Sequence, residues 1–380
     1  MRLRLYYIYI GVICLCFQSC KHSMASNVVN NRKIKSELPV IVGAKRVNTY
    51  SLWLKNKRVA LLTNQTGIVD NVSSASFLMK NGIDVKFLLT PEHGLSGKAA
   101  PGAAVADGKD NETGLPVISL YNNGFAPPSA KEMQMFDVLL VDIQDVGTRF
   151  YTYYITMVRM MDVCAACHKQ VIVLDRPNPN GYYVAGPVLD MKYKSGVGWL
   201  PIPVVYGLTM GELAFMTNGE HWLSANRKCD LRVVRCLNYT HHTRYELPVI
   251  PSPNLPNMRS VYLYPSLCLF EGTPMSVGRG TNKPFQCFGY KQVNYWKDLS
   301  RMTEDESMKV GFSLDYLIEA YHATHLGDKF FTSFFEKLIG VGYVRTMIEQ
   351  GKTAKEISGK WKNNLDKYIK IRKKYLLYKN

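Results

Sequence analysis

Arg58-Val59-Ala60-Leu61-Leu62-Thr63-Asn64-Gln65-Thr66-Gly67 decides the fold. Its apolar run is too short for a helix and has no polar alternation, as expected of a strand covered on both faces. A helical stretch over 73–81 comes next, then a second apolar run over 85–90. The theme repeats at 136–141, 170–174 and 231–235, with helices expected over 150–168 and 210–222. Strands alternating with helices build a parallel sheet. The expected class is α/β, with a Rossmann-like parallel-sheet domain over 39–238 and a smaller, irregular α+β domain over 239–380. In that second part Pro248, Pro251, Pro253, Pro256, Pro265 and Pro274 interrupt regular structure. A helical C-terminus closes the chain, its last helix opened by the capping-box pair Thr353 and Glu356.

The strand exits are polar. They read Asn64-Gln65-Thr66-Gly67, Pro91-Glu92-His93-Gly94, Asp142-Ile143-Gln144-Asp145-Val146-Gly147 and Asp175-Arg176-Pro177-Asn178-Pro179-Asn180-Gly181. In a parallel sheet all strand C-termini lie on one edge, where ligands bind. Four polar clusters are therefore expected on one rim, under a long Gly- and Ala-rich loop over 94–116.

No Gly-x-Gly-x-x-Gly comes after the first strand and no P-loop occurs, so neither a dinucleotide nor a nucleoside triphosphate is implied. No cofactor is expected. The rim offers carboxylates (Glu92, Asp142, Asp145, Asp175), amides (Asn64, Gln65, Gln144, Asn178) and guanidinium groups (Arg149, Arg176). Carboxylate pairs suit glycoside hydrolysis, in which one acid protonates the leaving oxygen and another carboxylate activates water or attacks the anomeric carbon. The amides would hold hydroxyl and acetamido groups, and the arginines would grip a substrate carboxylate through paired hydrogen bonds. Asp142 and Asp175 have an equally simple reading, bonding loop amides at strand ends. Glu92, between Pro91 and His93-Gly94, has no such structural motive, whereas His93 fits loop orientation as well as chemistry. Metal binding finds no paired-His spacing on the rim, and His322-Ala-Thr-His325 has helical spacing far along the chain from it.

The chain of 380 residues carries 47 basic and 30 acidic residues, a formal net charge of +17. The excess gathers near the C-terminus, where apolar Leu365, Tyr368, Ile369 and Leu376 recur at helical spacing. That is the pattern of a solvated helix face, and nucleic acid is not the expected partner. Arg2 and Arg4 precede an apolar run over 5–17 and then Gln18-Ser19-Cys20. A lipoprotein-type signal peptide over 1–19, lipidation at Cys20 and a polar linker over 20–38 are expected, giving a bacterial envelope protein, periplasmic or on the outer membrane, tied to the membrane by its lipid. Cys164-Ala-Ala-Cys167-His168 has haem-attachment spacing, but it closes an apolar helix and is read as small thiols packed on that helix.

These blocks together resemble the exo-β-N-acetylmuramidases of the NamZ type. The resemblance rests on residues 61–67, 90–94, 113–117, 142–153 and 174–179, then Pro251-Ser252-Pro253-Asn254, Phe270-Glu271-Gly272-Thr273, Gly278-Arg279-Gly280-Thr281 before Pro284-Phe285, and Tyr375-Leu376-Leu377-Tyr378. It implies a site in a cleft between a Rossmann-like domain and a smaller one, and release of N-acetylmuramic acid from the non-reducing end of peptidoglycan-derived disaccharides or muropeptides. The lactyl carboxylate of that sugar would give the arginines their role. By the same resemblance Glu92 is the best candidate catalytic residue, and the hydrolase reading makes it the general acid, with Asp142 or Asp145 as base, nucleophile or support for Glu92. Tyr151 would join the substrate contacts, and Glu271 and Arg279 would enter from the second domain. Two departures stand out: the segment over 290–329 is shorter than the family pattern, and Val204-Val205-Tyr206-Gly207 lacks a histidine before its glycine. The competing expectation is therefore a shortened relative that binds peptidoglycan sugars without cleaving them.

Overall fold

A computed structural model describes residues 38–379. The expected signal peptide, Cys20 and all of the expected linker but Leu38 lie outside the described residues.

Nine strands in the first part are β1 (Val59–Thr63), β2 (Ile68–Val69), β3 (Val72–Ser73), β4 (Val85–Thr90), β5 (Gly108–Lys109), β6 (Pro116–Ser119), β7 (Val138–Asp142), β8 (Gln170–Leu174) and β9 (Leu231–Val234). Seven form one sheet in the order β5-β6-β4-β1-β7-β8-β9, and β2 and β3 make a small hairpin. Every pairing in the large sheet is parallel except β5 on β6. β1 is buried along its whole length. Its side chains alternate between faces, so Val59 and Leu61 join one apolar layer while Ala60 and Leu62 join the other. The helix Ser74–Lys80 packs in the first layer, its start capped by the Ser73 hydroxyl, which accepts from the Ser76 amide at 3.1 Å.

The other layer is larger and runs without a break from the helix Tyr153–Ala166 to Phe330, Trp361 and Tyr368 near the C-terminus. The second part carries the helix Met258–Leu267, the hairpin β10 (Cys287–Tyr290) with β11 (Tyr295–Asp298), and short helices up to Ala354–Arg372. Thr353 and Glu356 form the capping box expected at the start of that last helix. From there the chain returns to the sheet. The Tyr368 hydroxyl donates to the Tyr206 carbonyl at 2.7 Å, and the Leu377 amide donates to Glu212 at 2.8 Å.

Two elements run against the sequence reading. The 94–116 loop is cut short by β5, and β6 was not anticipated, because a strand opened by an exposed proline at a sheet margin reads as a turn. Cys164 packs in the core, and Cys167, at the helix C-cap, is exposed. No helix among the described residues is long and apolar enough to cross a membrane.

Candidate active site

An open cleft beyond the C-terminal end of β4 brings together Glu92, His93, Tyr151, Glu271 and Arg279. Glu92 lies two residues past the end of β4, and the chain then turns sharply, His93 and Gly94 both taking positive φ (72° and 71°). His93 Nδ1 lies 2.6 Å from the Ala99 carbonyl. Since a carbonyl only accepts, Nδ1 carries the hydrogen and ties the turn to the loop above it. The same loop returns an amide to Glu92: Gly102 N–H donates to Oε1 at 2.9 Å. Oε2 receives the Thr152 hydroxyl, also at 2.9 Å. Thr152 precedes the helix Tyr153–Ala166, so a rigid element fixes one carboxylate oxygen and a loop fixes the other.

The far wall comes from the second part. Glu271 sits in a 3-10 turn, Cys268–Gly272, and Arg279 between two glycines of positive φ. A Cβ at Gly278 would lie 2.5 Å from the Lys283 carbonyl, so only glycine makes this turn. Arg279 Nη2 meets Glu271 Oε1 at 2.5 Å, and its guanidinium carbon lies 5.2 Å from the centre of the Phe285 ring. Tyr151, Tyr264 and Phe285 give this wall an aromatic surface, with Tyr264 edge-on to both neighbours. One backbone oxygen joins the walls. The Pro251 carbonyl accepts from Tyr151 (2.7 Å) and from the Gln65 amide (3.2 Å), which sets Ser252 and Asn254 at the cleft.

The remaining rim residues are not brought to the cleft. Asp142, expected as base, nucleophile or support, forms a two-pronged ion pair with Arg176 (2.6 and 2.9 Å), and both side chains are at most 2% exposed. A carboxylate and guanidinium closed on each other in the interior cannot reach a sugar, so both hold loops instead. Asp145 is buried below the tyrosines, its Oδ1 accepting the Gly147 amide and the Tyr206 hydroxyl. Burial pushes this acid up to about 6. Tyr206 stands where the family pattern led us to expect histidine. The Gln144 side-chain amide donates to the Asp145 and Pro177 carbonyls, and that of Asn178 donates to the Leu208 carbonyl. Arg149, expected to grip a substrate carboxylate, is fully buried and donates to the carbonyls of Pro187, Ile202, Leu338 and Ile339 at 2.8 to 2.9 Å. Asn64 and Gln65 line a neighbouring depression. The Asn64 carboxamide oxygen is taken by Thr66, and the Gln65 side chain is pressed under Gly97.

Sequence reasoning missed Thr152, Gly102, Ser252, Asn254 and Tyr264. Thr152 had a signal, since it opens the helix after the third strand exit, and Ser252 and Asn254 lie in a polar-proline block. Tyr264 had none, for an aromatic lining a cleft is spelled like one in a core. Tyr121 also lies close enough that burial and the Glu92 charge raise its hydroxyl above the ordinary value. Among the described residues no group of three His, Cys, Asp or Glu side chains is placed to hold a metal ion.

Comparison with known proteins gives a consistent answer. The family description "Exo-beta-N-acetylmuramidase NamZ, N-terminal" matches residues 59–259, and its C-terminal counterpart matches 262–314 and 306–378. The C-terminal match is split where the chain was expected to be short. A similar curated protein is the peptidoglycan beta-N-acetylmuramidase NamZ of Bacillus subtilis (strain 168), 35% identical over 375 residues, covering 87% of this chain and 89% of that one. Two crystal structures of DUF1343 family proteins from Bacteroides fragilis NCTC 9343 share the fold. One has a TM-score of 0.84 at 48% identity, covering 90% of this chain and all of that one. The other has a TM-score of 0.74 at 27% identity, covering 90% and 99%. With family matches across both parts and a curated relative aligned over most of its length, the chain belongs to the exo-β-N-acetylmuramidase NamZ family of glycoside hydrolases.

Proposed function

We propose that this protein releases N-acetylmuramic acid from the non-reducing end of peptidoglycan fragments, with Glu92 as the general acid. The observation that carries the reading is the cleft itself, which is lined by two carboxylates, Glu92 and Glu271, and one guanidinium, Arg279. Glu92, protonated at Oε2, would pass its proton to the glycosidic oxygen as the bond from the anomeric carbon breaks, and water would supply the new hydroxyl, its second proton being taken up by a carboxylate so that Glu92 regains its acid form. The Thr152 hydroxyl suits both states of that oxygen, donating to the carboxylate and accepting from the acid.

Arg279 takes over the role first assigned to Arg149 and Arg176. It gives one hydrogen-bonding edge to Glu271 and keeps further N–H groups for a lactyl carboxylate. Asp145 and Asp142 act on the fold rather than on the sugar, holding Tyr206 and Arg176 in the interior. The aromatic surface of Tyr151, Tyr264 and Phe285 suits the apolar face of a sugar. The protein works in two parts, 39–238 and 239–380, in the envelope, exported by its N-terminal signal and anchored by lipid on Cys20.

The test is incubation of the protein and its Glu92→Gln variant with a synthetic β-N-acetylmuramide and with the muramic acid to glucosamine disaccharide. Release of N-acetylmuramic acid by the unaltered protein, reduced about 10²- to 10⁴-fold in the variant, supports the assignment. Binding without release by either protein would leave a sugar-binding relative and remove the hydrolase reading.

A further inference from the structure

Along the helix Tyr153–Ala166, away from the cleft, a second pocket is lined by Phe125, Arg159, Asp162, Lys194, Trp199 and Trp222, among others. The Arg159 guanidinium carbon lies 4.2 Å from the Phe125 ring centre and 4.7 Å from that of Trp199. Lys194 Nζ lies 3.8 Å from the Trp199 ring centre. Two cations thus share one indole. Desolvation lowers both of them from their ordinary values, and the Asp162 charge offsets this only in part.

Neither cation has a hydrogen-bond acceptor among the described residues. Asp162 does not serve: it accepts from the Ser224 amide (3.1 Å) and hydroxyl (2.5 Å) and pairs at 3.6 Å with Arg227. Two positive groups held against aromatic faces, half-buried Arg159 and exposed Lys194, with no carboxylate closed on either among the described residues, make a receptor for an oxyanion. Trp222 adds a further indole to the pocket. An indole beside a carboxylate-binding pair is the arrangement that recognises a sugar bearing an acid, because the ring's apolar face stacks while the acid is gripped.

The pocket is also joined to the cleft. Thr152 and Tyr153 line the cleft where the helix begins, and Arg159 lines the pocket seven residues beyond Thr152, about 10 Å along the axis. The loop that carries Trp199 into the pocket places Val197 in the cleft, held by the paired bonds between Ser195 and Gly198. We propose that this pocket is a second binding site for a carboxylate-bearing sugar, with Arg159 and Lys194 holding the acid and the Trp222 indole stacking the ring. It would hold another unit of the acidic glycan whose end occupies the cleft. That last link rests on the proposed function, but binding at the pocket does not.

Tryptophan fluorescence tests it, because the cleft lining contains no tryptophan and the pocket contains two. The protein is titrated with N-acetylmuramic acid and with its neutral methyl ester, alongside an Arg159→Gln/Lys194→Gln double variant and the cleft variant Arg279→Gln. A saturable change with the acid, absent or about tenfold weaker with the ester and with the double variant, and retained in Arg279→Gln, is the expected result. The double variant should still cleave a small synthetic muramide at the unaltered rate. No change, an equal response to the ester, or a response kept by the double variant would overturn the site. A response lost only in Arg279→Gln would assign the signal to the cleft and overturn it too. If pocket binding appears but no protein releases sugar, the hydrolase reading fails while the pocket stands.

Discussion

The Thr152 hydroxyl lies 2.9 Å from Oε2 of Glu92 and belongs to the residue that opens the helix Tyr153–Ala166. The helix, packed in the main apolar layer, therefore fixes the oxygen that the proposed reaction uses, while the other oxygen depends on the Gly102 loop. Replacing Thr152 by Val keeps the shape and removes the hydroxyl. The expected outcome is a fall in kcat of about tenfold, from loss of one charge-assisted hydrogen bond, with KM little changed. Thr152→Ser should recover most of the rate. The pH profile separates this from simple damage, since a general acid sets the basic limb, which should move in Thr152→Val and return in Thr152→Ser.

Arg279 and Glu271 make the second test. In Arg279→Gln the carboxylate loses its partner and the cleft loses its cation, so KM for a muramide should rise about tenfold or more. Discrimination between the muramide and its lactyl methyl ester should vanish as well. Glu271→Gln keeps the cation and should keep that discrimination, as the ratio of kcat/KM for the two substrates will read.

How the rim divides explains what was legible in the sequence. The apolar runs of β1, β4, β7 and β8 and the polar exits after them are local patterns, and the structure has them where they were read. Which exits open into solvent is not local. The order of the sheet reverses between β1 and β7, and there the loops bond one another: the Gln144 amide donates to the Thr66 hydroxyl at 3.0 Å, and Arg176 bridges Asp142 and the Ile68 carbonyl. The usual ligand crevice is thereby closed, and the opening lies one strand over, beyond β4. A buried Asp and a catalytic Asp at a strand end have the same spelling. Glu92 was read apart from them on its neighbours, Pro91 and the His93-Gly94 turn, and of the four rim carboxylates it is the one that lines the cleft.

Arg149 carries the third prediction. Its guanidinium accounts for four backbone carbonyls from three separate segments, and Gly340 packs so closely that a Cβ there would lie 2.5 Å from Nη2. Arg149→Met leaves those carbonyls buried without donors, and Arg149→Lys cannot span them from one compact ammonium. Both should lower stability by about 3 kcal/mol or more in a denaturant titration. The folded fraction should keep its preference for a muramide over its methyl ester, which would be lost if Arg149 gripped the substrate.

Asp145 and Asp175 carry the last prediction, a dependence of stability on pH. Burial is the main cause for both, and each is raised from 3.8 to about 6 despite hydrogen bonds from Tyr206 and Tyr378 that favour the charged form. An acid whose folded value is raised holds its proton more tightly folded than unfolded. Its contribution is therefore complete below the unfolded value, near 3.8, and is lost as pH rises through about 6. Two units correspond to about 3 kcal/mol for each fully buried group. Asp137, lowered to about 2 by Arg58, acts in the opposite sense and only below 3.8, so the two effects occupy separate windows. The midpoint of thermal unfolding should fall between about pH 4 and about pH 7. Asp145→Asn should flatten that fall, because Asn keeps an oxygen for Gly147 and Tyr206 and places its NH2 where Oδ2 has no partner among the described residues. A midpoint that rises across this window, or an Asn variant with the same slope, would show that Asp145 is ionised in the folded protein and that solvent reaches it behind Tyr151.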